Sequence, residues 1–209
     1  NGILYFSKNP PRNGDTFNLG DLYKDHIFFA VEQLKSMHAK DGLTGLDMTT
    51  EAFLVWKNEF VRAKRGGTPT SLIFADMDDL KKINDNEGHQ VGDAALQEIA
   101  RTLQRATRSS FDCVFRNSTK ADEFGILLPG TSRHQGLEIL KRLKEKLSTL
   151  QIDGPKGKVD VRASVGMATL RADQLGNDPA SAFERLLETA DQAMYKAKTA
   201  NKAARQQGS

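Results

Sequence analysis

The sequence predicts an α+β fold, and three observations carry that reading. Apolar segments with strand character alternate with segments whose apolar residues recur every three or four positions. Two of the strands, Asp112–Arg116 and Phe124–Leu128, are separated only by a polar turn, as in a hairpin. The remaining strands are separated by helix-length stretches. Hairpins mixed with crossover helices suit a helix-covered sheet better than a doubly wound parallel one.

The elements follow in order. Gly2–Ser7 reads as a strand, Asn9–Asp15 as a turn-rich loop, and Leu22–Lys40 as a helix with Ile27, Val31, Leu34 and Met37 on one stripe. Strand, loop and helix in this order resemble the last elements of a GAF sensor domain. Residues 1–20 are therefore expected to be the remnant of an upstream sensor, and 21–40 a stalk helix that either pairs with a second copy of itself or packs on its own domain. The chain opens on Asn1 and is expected to be the C-terminal part of a longer protein. A helix at 49–64 carries Phe53, Trp56, Phe60 and Ala63 on one face, and Ser71–Ala75 is a buried strand leading into acids. A helix from about Ala94, the hairpin, a helix at 136–147, a long strand at 159–170 and a last helix bearing Phe183, Leu186, Leu187, Ala190 and Met194 complete a domain expected over 41–205, with a disordered tail at 206–209.

Composition narrows the function classes. With 209 residues, 38% hydrophobic and 27% charged, the chain has enough apolar material for a core. Thirty basic against 27 acidic residues, a net +3, is far from the basic stripe of a nucleic-acid binder. No apolar run approaches the ~20 residues of a membrane span. The single Cys113 has no disulfide partner and no companion at metal-ligand spacing, which points to a cytoplasmic home.

The densest cluster of reactive residue types is Asp76-Met77-Asp78-Asp79-Leu80-Lys81, with Asn84 and then Gly88–Asp93 following. Acids crowded at a strand exit repel one another, and a divalent cation relieves that repulsion. Magnesium takes one or two carboxylates together with phosphate oxygens. Taken alone, these acids are better read as a solvated turn, with Asp93 capping the next helix. A second pair, Asp122-Glu123, stands at the far side of the hairpin turn, and Lys196, Lys198 and Lys202 lie near the C-terminal end. If the hairpin adjoins the Ser71–Ala75 strand, Asp76 and Asp122 face one ion from adjacent strand ends. The three groups together then make a triphosphate site.

Five segments in order, Asp41–Leu46, Asp76–Asp93, Arg116 through Asp122-Glu123-Phe124, Ser164–Gly166 and Ala190–Lys198, resemble the successive signatures of GGDEF domains, the diguanylate cyclases. The resemblance implies a palm-like fold of the nucleotidyl cyclase type, with a mainly antiparallel sheet flanked by helices. It implies two domains face to face, each holding GTP and Mg2+, the 3′-hydroxyl of each nucleotide attacking the α-phosphorus of the other to give cyclic di-GMP and pyrophosphate. By resemblance, Asp76, the Met77 carbonyl and Asp122 hold metal, and Glu123 binds metal or activates the hydroxyl. Asn84 and Asp93 read guanine, while Lys81, Lys198 and Lys202 contact phosphates, Lys202 standing where an arginine is common.

The defining motif is altered. Lys120-Ala121 replaces the two glycines and the turn is two residues longer, giving Arg116-Asn117-Ser118-Thr119-Lys120-Ala121-Asp122-Glu123-Phe124. Glycines there supply positive φ and close backbone approach. The leading expectation is a degenerate signalling domain that binds a guanine nucleotide or a protein partner with little or no cyclase activity, a homodimer through the stalk. The alternative is an active diguanylate cyclase. The product-inhibition motif Arg-x-x-Asp is also displaced: Asp112 is present, but Arg108 stands one position early, so weak or absent feedback binding of cyclic di-GMP is expected. Asp47–Thr50 departs as well, replacing an Asn-Arg pair after Thr-Gly-Leu.

Overall fold

The structure is a computed structural model that describes residues 40–108 and 111–207. The expected sensor remnant and all of the stalk helix except Lys40 lie outside the described residues.

In chain order the elements are β1 (Asp47–Met48), α1 (Thr49–Gly66), β2 (Thr70–Met77), α2 (Leu80–Glu87), α3 (His89–Arg105), β3 (Cys113–Arg116), β4 (Glu123–Leu128), α4 (Arg133–Ser148), β5 (Gln151–Gly154), β6 (Gly157–Asp160), β7 (Ala163–Leu170), a short 3-10 turn (Ala172–Gln174) and α5 (Pro179–Gln207). The central sheet has the order β1-β3-β4-β2-β7, with only the β1–β3 pair parallel. The expected α+β, mainly antiparallel sheet flanked by helices is therefore present.

β2 is buried at every position, as a strand covered on both faces must be. Its side chains alternate between two cores. Ile73, Ala75 and Met77 pack with Ile99, Leu103, Leu143 and Leu147 of α3 and α4. Leu72 and Phe74 pack with Trp56, Phe183, Leu186 and Met194 of α1 and α5. Trp56 is fully buried, and its indole Nε1 donates to the Pro179 carbonyl at 2.7 Å, tying α1 to the start of α5.

Some boundaries differ from expectation. α3 begins at His89 rather than near Ala94, so Asp93 lies inside the helix and is not its cap. The long strand expected over 159–170 is two strands: β6 pairs with β5 in a separate hairpin, and β7 crosses to the central sheet beside β2. α5 runs to Gln207, two residues into the expected tail. No helix among the described residues is long and apolar enough to cross a membrane.

α5 lies against β7 because Gly166 has no side chain. A Cβ there would stand 2.0 Å from the Met194 backbone nitrogen and 2.5 Å from the Ala193 carbonyl carbon. Backbone cannot step aside as a side-chain tip can, so Gly166→Ala is expected to cost about 1–3 kcal/mol by pushing α5 off the sheet, read by denaturant unfolding.

Candidate functional site

The site is assembled where β2, β4, β7 and α5 meet. β2 and β4 are antiparallel with Asp76 opposite Glu123, and Asp76 is opposite Ser164 on β7. The hairpin thus adjoins β2 as expected, with Glu123 in register with Asp76 and Asp122 one residue back in the turn, where its carbonyl accepts from the Met77 N–H at 2.9 Å. The period of two that sends Leu72 and Phe74 toward α5 also sends Asp76 there. Lys198 meets it, Nζ to Oδ1 at 2.5 Å.

Burial pushes the Asp76 carboxyl above its ordinary range, and the negative fields of Asp122 and Glu123 add to this, only partly offset by Lys198. Burial of the Lys198 ammonium works to lower its proton affinity, but the Asp76 carboxylate outweighs it and the net direction is upward. The acidic end of β2 and β4 is therefore a place of concentrated negative charge that favours cations.

Three cations occupy it. Besides Lys198 on Asp76, Lys120 Nζ reaches Glu123 Oε1 at 2.6 Å, and Arg205 Nη2 reaches Asp78 Oδ2 at 2.7 Å. Glu123 is 3% exposed, and its second oxygen accepts from Asn117 Nδ2 at 2.7 Å. Both oxygens are thus taken by residues of the altered turn. Among the described residues no three acids, histidines or cysteines are grouped as a metal cluster requires. The donor chemistry nevertheless suits a hard cation such as Mg2+, since Asp76, Asp122 and Glu123 bring carboxylates together at the strand ends, and burial with its acidic neighbours opposes the ionisation of Asp76.

The turn itself is clamped at its base. Arg116 Nε donates to the Ala121 carbonyl at 2.9 Å, Nη2 bonds the same oxygen, and Nη1 reaches Asp41 Oδ1 at 2.6 Å. Asp41 also accepts from the N–H and hydroxyl of Thr44, at 2.8 and 2.6 Å. Burial works to raise the Asp41 pKa, but the bonds from Thr44 and Arg116 prevail and hold it below the usual 3.8. A depressed carboxylate contributes stability that is present above pH 3.8 and lost as the pH falls through its folded value. Asp41→Asn is expected to cost about 2 kcal/mol in urea unfolding at neutral pH. The gap from the parent should narrow as the pH drops below 3.8. The Asp41–Arg116 link escaped sequence reasoning, although both residues stand in recognised motifs.

The candidate base-reading residues sit on the other side of the sheet's end. The Asn84 Oδ1 is buried with no hydrogen-bond partner, and it lies so close to Gly92 that a Cβ there would stand 1.9 Å away. α2 therefore presents an unsatisfied amide oxygen to the first turn of α3, one residue from the exposed Asp93. Lys81 and Lys202 are exposed. At the displaced inhibitory motif, Arg108 turns inward on its own neighbour: Nη2 reaches Asp112 Oδ1 at 2.6 Å and also donates to the Pro129 carbonyl at 3.2 Å. Cys113 is buried, with its thiol pushed up to about 12, first by burial, so it is no nucleophile.

A network not foreseen from sequence surrounds Asp78. Ser164 Oγ donates to Asp78 Oδ1 at 2.9 Å, and Asn201 Nδ2 donates to Ser164 Oγ at 3.3 Å. This gives the Ser164-Val165-Gly166 segment a physical role: its serine anchors the β2 exit and its glycine admits α5.

Comparison with known proteins agrees with this geometry. Residues 38–204 match the family described as "Diguanylate cyclase, GGDEF domain". The chain is 34% identical over 170 residues to the probable diguanylate cyclase DgcC of Escherichia coli K12, covering 81% of this chain and 43% of that protein. It is 32% identical over 161 residues to the diguanylate cyclase DosC of the same strain, covering 74% of this chain and 33% of that protein. It thus spans under half the length of these curated relatives. Among solved structures, the diguanylate cyclase SiaD of Pseudomonas aeruginosa, in complex with its activator SiaC, superposes with a TM-score of 0.69 at 29% identity, covering 87% of this chain and 66% of that one. A sensory box/GGDEF family protein of Caulobacter crescentus superposes with a TM-score of 0.66 at 28% identity, covering 78% and 99%. A match over most of the chain, carried by the same strand ends and hairpin that build the site, places this protein in the GGDEF family as a diguanylate cyclase-type domain of cyclic di-GMP signalling.

Proposed function

We propose that this domain binds GTP with Mg2+ and turns it over slowly or not at all, and that it signals through its nucleotide-bound conformation or a protein partner. One observation carries the reading: both oxygens of Glu123 are engaged by Lys120 and Asn117, residues of the lengthened turn. A carboxylate pinned in this way is not available to a hydroxyl nucleophile, and phosphoryl transfer depends almost wholly on positioning.

Asp76, the Met77 carbonyl and Asp122 would hold the metal, which when bound neutralises phosphate charge and polarises the α-phosphoryl group. Lys198 and Lys81 neutralise outer phosphate oxygens, and Asn84 with Asp93 meets the polar edge of guanine. In this reading the domain works in the cytoplasm. The complex of SiaD with its activator SiaC is a precedent for a protein partner.

An active cyclase is the competing reading, favoured by the in-register approach of Asp76 and Glu123. The experiment that separates the two is incubation of the 209-residue protein, concentrated enough to dimerise, with GTP and Mg2+, followed by chromatography of the products and by titration calorimetry. Magnesium-dependent GTP binding without accumulation of cyclic di-GMP is the expected result. Steady accumulation that disappears in Asp76→Ala would overturn the proposal, and absence of any GTP binding would leave the domain a purely structural module.

A further inference from the structure

Two basic side chains leave the last turns of α5 for the acidic exit of β2. Lys198 takes Asp76. Seven residues on, Arg205 spreads its guanidinium over two carboxylates, Nη2 to Asp78 Oδ2 at 2.7 Å and Nη1 to Asp79 Oδ2 at 3.3 Å. Seven residues is close to two helical turns, so both heads project from nearly the same line along the helix.

The two halves of the Arg205 seat differ. Asp78 is 6% exposed, and its other oxygen is satisfied by Ser164, itself bonded to Asn201 of α5. That half is built into the fold. The Asp79 half is open: its side chain is 65% exposed, and its backbone sits at φ 58°, a left-handed conformation that a residue with a Cβ adopts at a cost. An exposed ion pair at 3.3 Å contributes little net energy, so the outer arm of the guanidinium gives up Asp79 at small cost while the inner arm stays on Asp78.

We infer that Arg205 is a polyphosphate-reading residue of this site: with its inner arm held by Asp78, its outer arm exchanges Asp79 for the outer phosphate oxygens of the bound nucleotide. The inference rests on the GTP-binding reading above and adds to it a residue outside every segment that carries the family resemblance. A guanidinium fork matches a phosphate with two parallel charge-assisted hydrogen bonds, which a lysine cannot reproduce. Because the contact is to outer phosphates, it discriminates nucleotides by phosphate number rather than by base.

Titration of GTP and of GMP, each with Mg2+, into the parent protein, Arg205→Ala and Arg205→Lys tests this. Arg205→Ala should weaken GTP about tenfold and GMP by less than about twofold. Arg205→Lys, which keeps charge and loses the fork, should fall between the two and show steeper loss of GTP affinity on adding salt. If the parent protein takes up GTP and Arg205→Ala takes it up equally well, the assignment of Arg205 fails alone. Equal proportional losses of GTP and GMP in both variants also overturn it, since a residue that merely shapes the β2–α2 turn, or a variant that folds poorly, gives that pattern. If the parent binds neither nucleotide, the GTP-binding reading fails and this inference with it.

Discussion

Deleting Ser118 and Thr119 and placing glycine at positions 120 and 121 is expected to raise the rate of cyclic di-GMP formation about 100-fold over the parent protein, a gain of the size that correcting a misplacement of ~1 Å brings to a reaction governed by positioning. The variant reads Arg116-Asn117-Gly-Gly-Asp122 and acts on three things at once. It removes the ammonium that occupies Glu123 Oε1. It removes the Cβ of Ala121 and restores access to positive φ in the turn. It also shortens the reach of the turn, so that Asn117 no longer folds back on Glu123 Oε2.

The base of the hairpin should survive the change, because it is held from outside the deleted residues: β3 and β4 stay paired from Cys113–Leu127 to Arg116–Phe124, and Arg116 keeps its bond to Asp41. Lys120→Met alone frees one oxygen of Glu123 but leaves the turn long and the Cβ in place, so it should recover only a small part of the gain. Chromatography of nucleotide products, with both variants at equal dimer concentration, measures the effect. Tight GTP binding by the shortened variant with no rise in product would mean that something other than the turn holds turnover back.

How much of this site was legible in the sequence depended on the range of the interactions. Strand ends are local, so the Ser71–Ala75 run predicted that Asp76 would emerge from the sheet, and the polar Asn117–Asp122 stretch predicted the hairpin that brings Glu123 beside it. Asn84 reached the first turn of α3 through a short connection, again a local matter. What periodicity does not reveal is the partner of a charged side chain in another element. Arg116 to Asp41, Lys198 to Asp76 and Arg205 to Asp78 join residues that are distant in sequence, and nothing in the spacing of either partner names the other. The misjudged strand at 159–170 has a similar cause: an apolar stretch interrupted by Asp160-Val161-Arg162 reads as continuous, yet Val161 is fully buried where the chain leaves one sheet for another. Lys120 was legible as a departure from the glycine pattern, but its choice of Glu123 depended on how the longer turn folds back.

Asp76→Asn is expected to separate stability from function more sharply than any other single change here. At neutral pH the ionised Asp76 is held against burial and against the fields of Asp122 and Glu123, and Lys198 offsets them only in part. A carboxyl whose folded pKa is raised contributes stability that is fully present below its unfolded value, near 3.8, and lost as the pH rises through the folded value. The neutral amide removes that penalty while keeping the shape of the side chain, and Lys198, about a third exposed along its side chain, turns its ammonium to solvent. The variant should therefore match or exceed the parent in denaturant unfolding at pH 7, with any advantage vanishing as the pH approaches 3.8. Its function should move the opposite way. Removing one of the two charged ligands from a hard-cation site leaves Asp122 as its single carboxylate beside the Met77 carbonyl, and the strengthening of GTP binding by Mg2+ should fall about 100-fold or more. Calorimetry with and without Mg2+, alongside urea unfolding of the same samples, reads both effects. A variant that loses stability and keeps magnesium-dependent GTP binding would show that the carboxylate at the end of β2 serves the fold through Lys198 rather than the nucleotide through a metal.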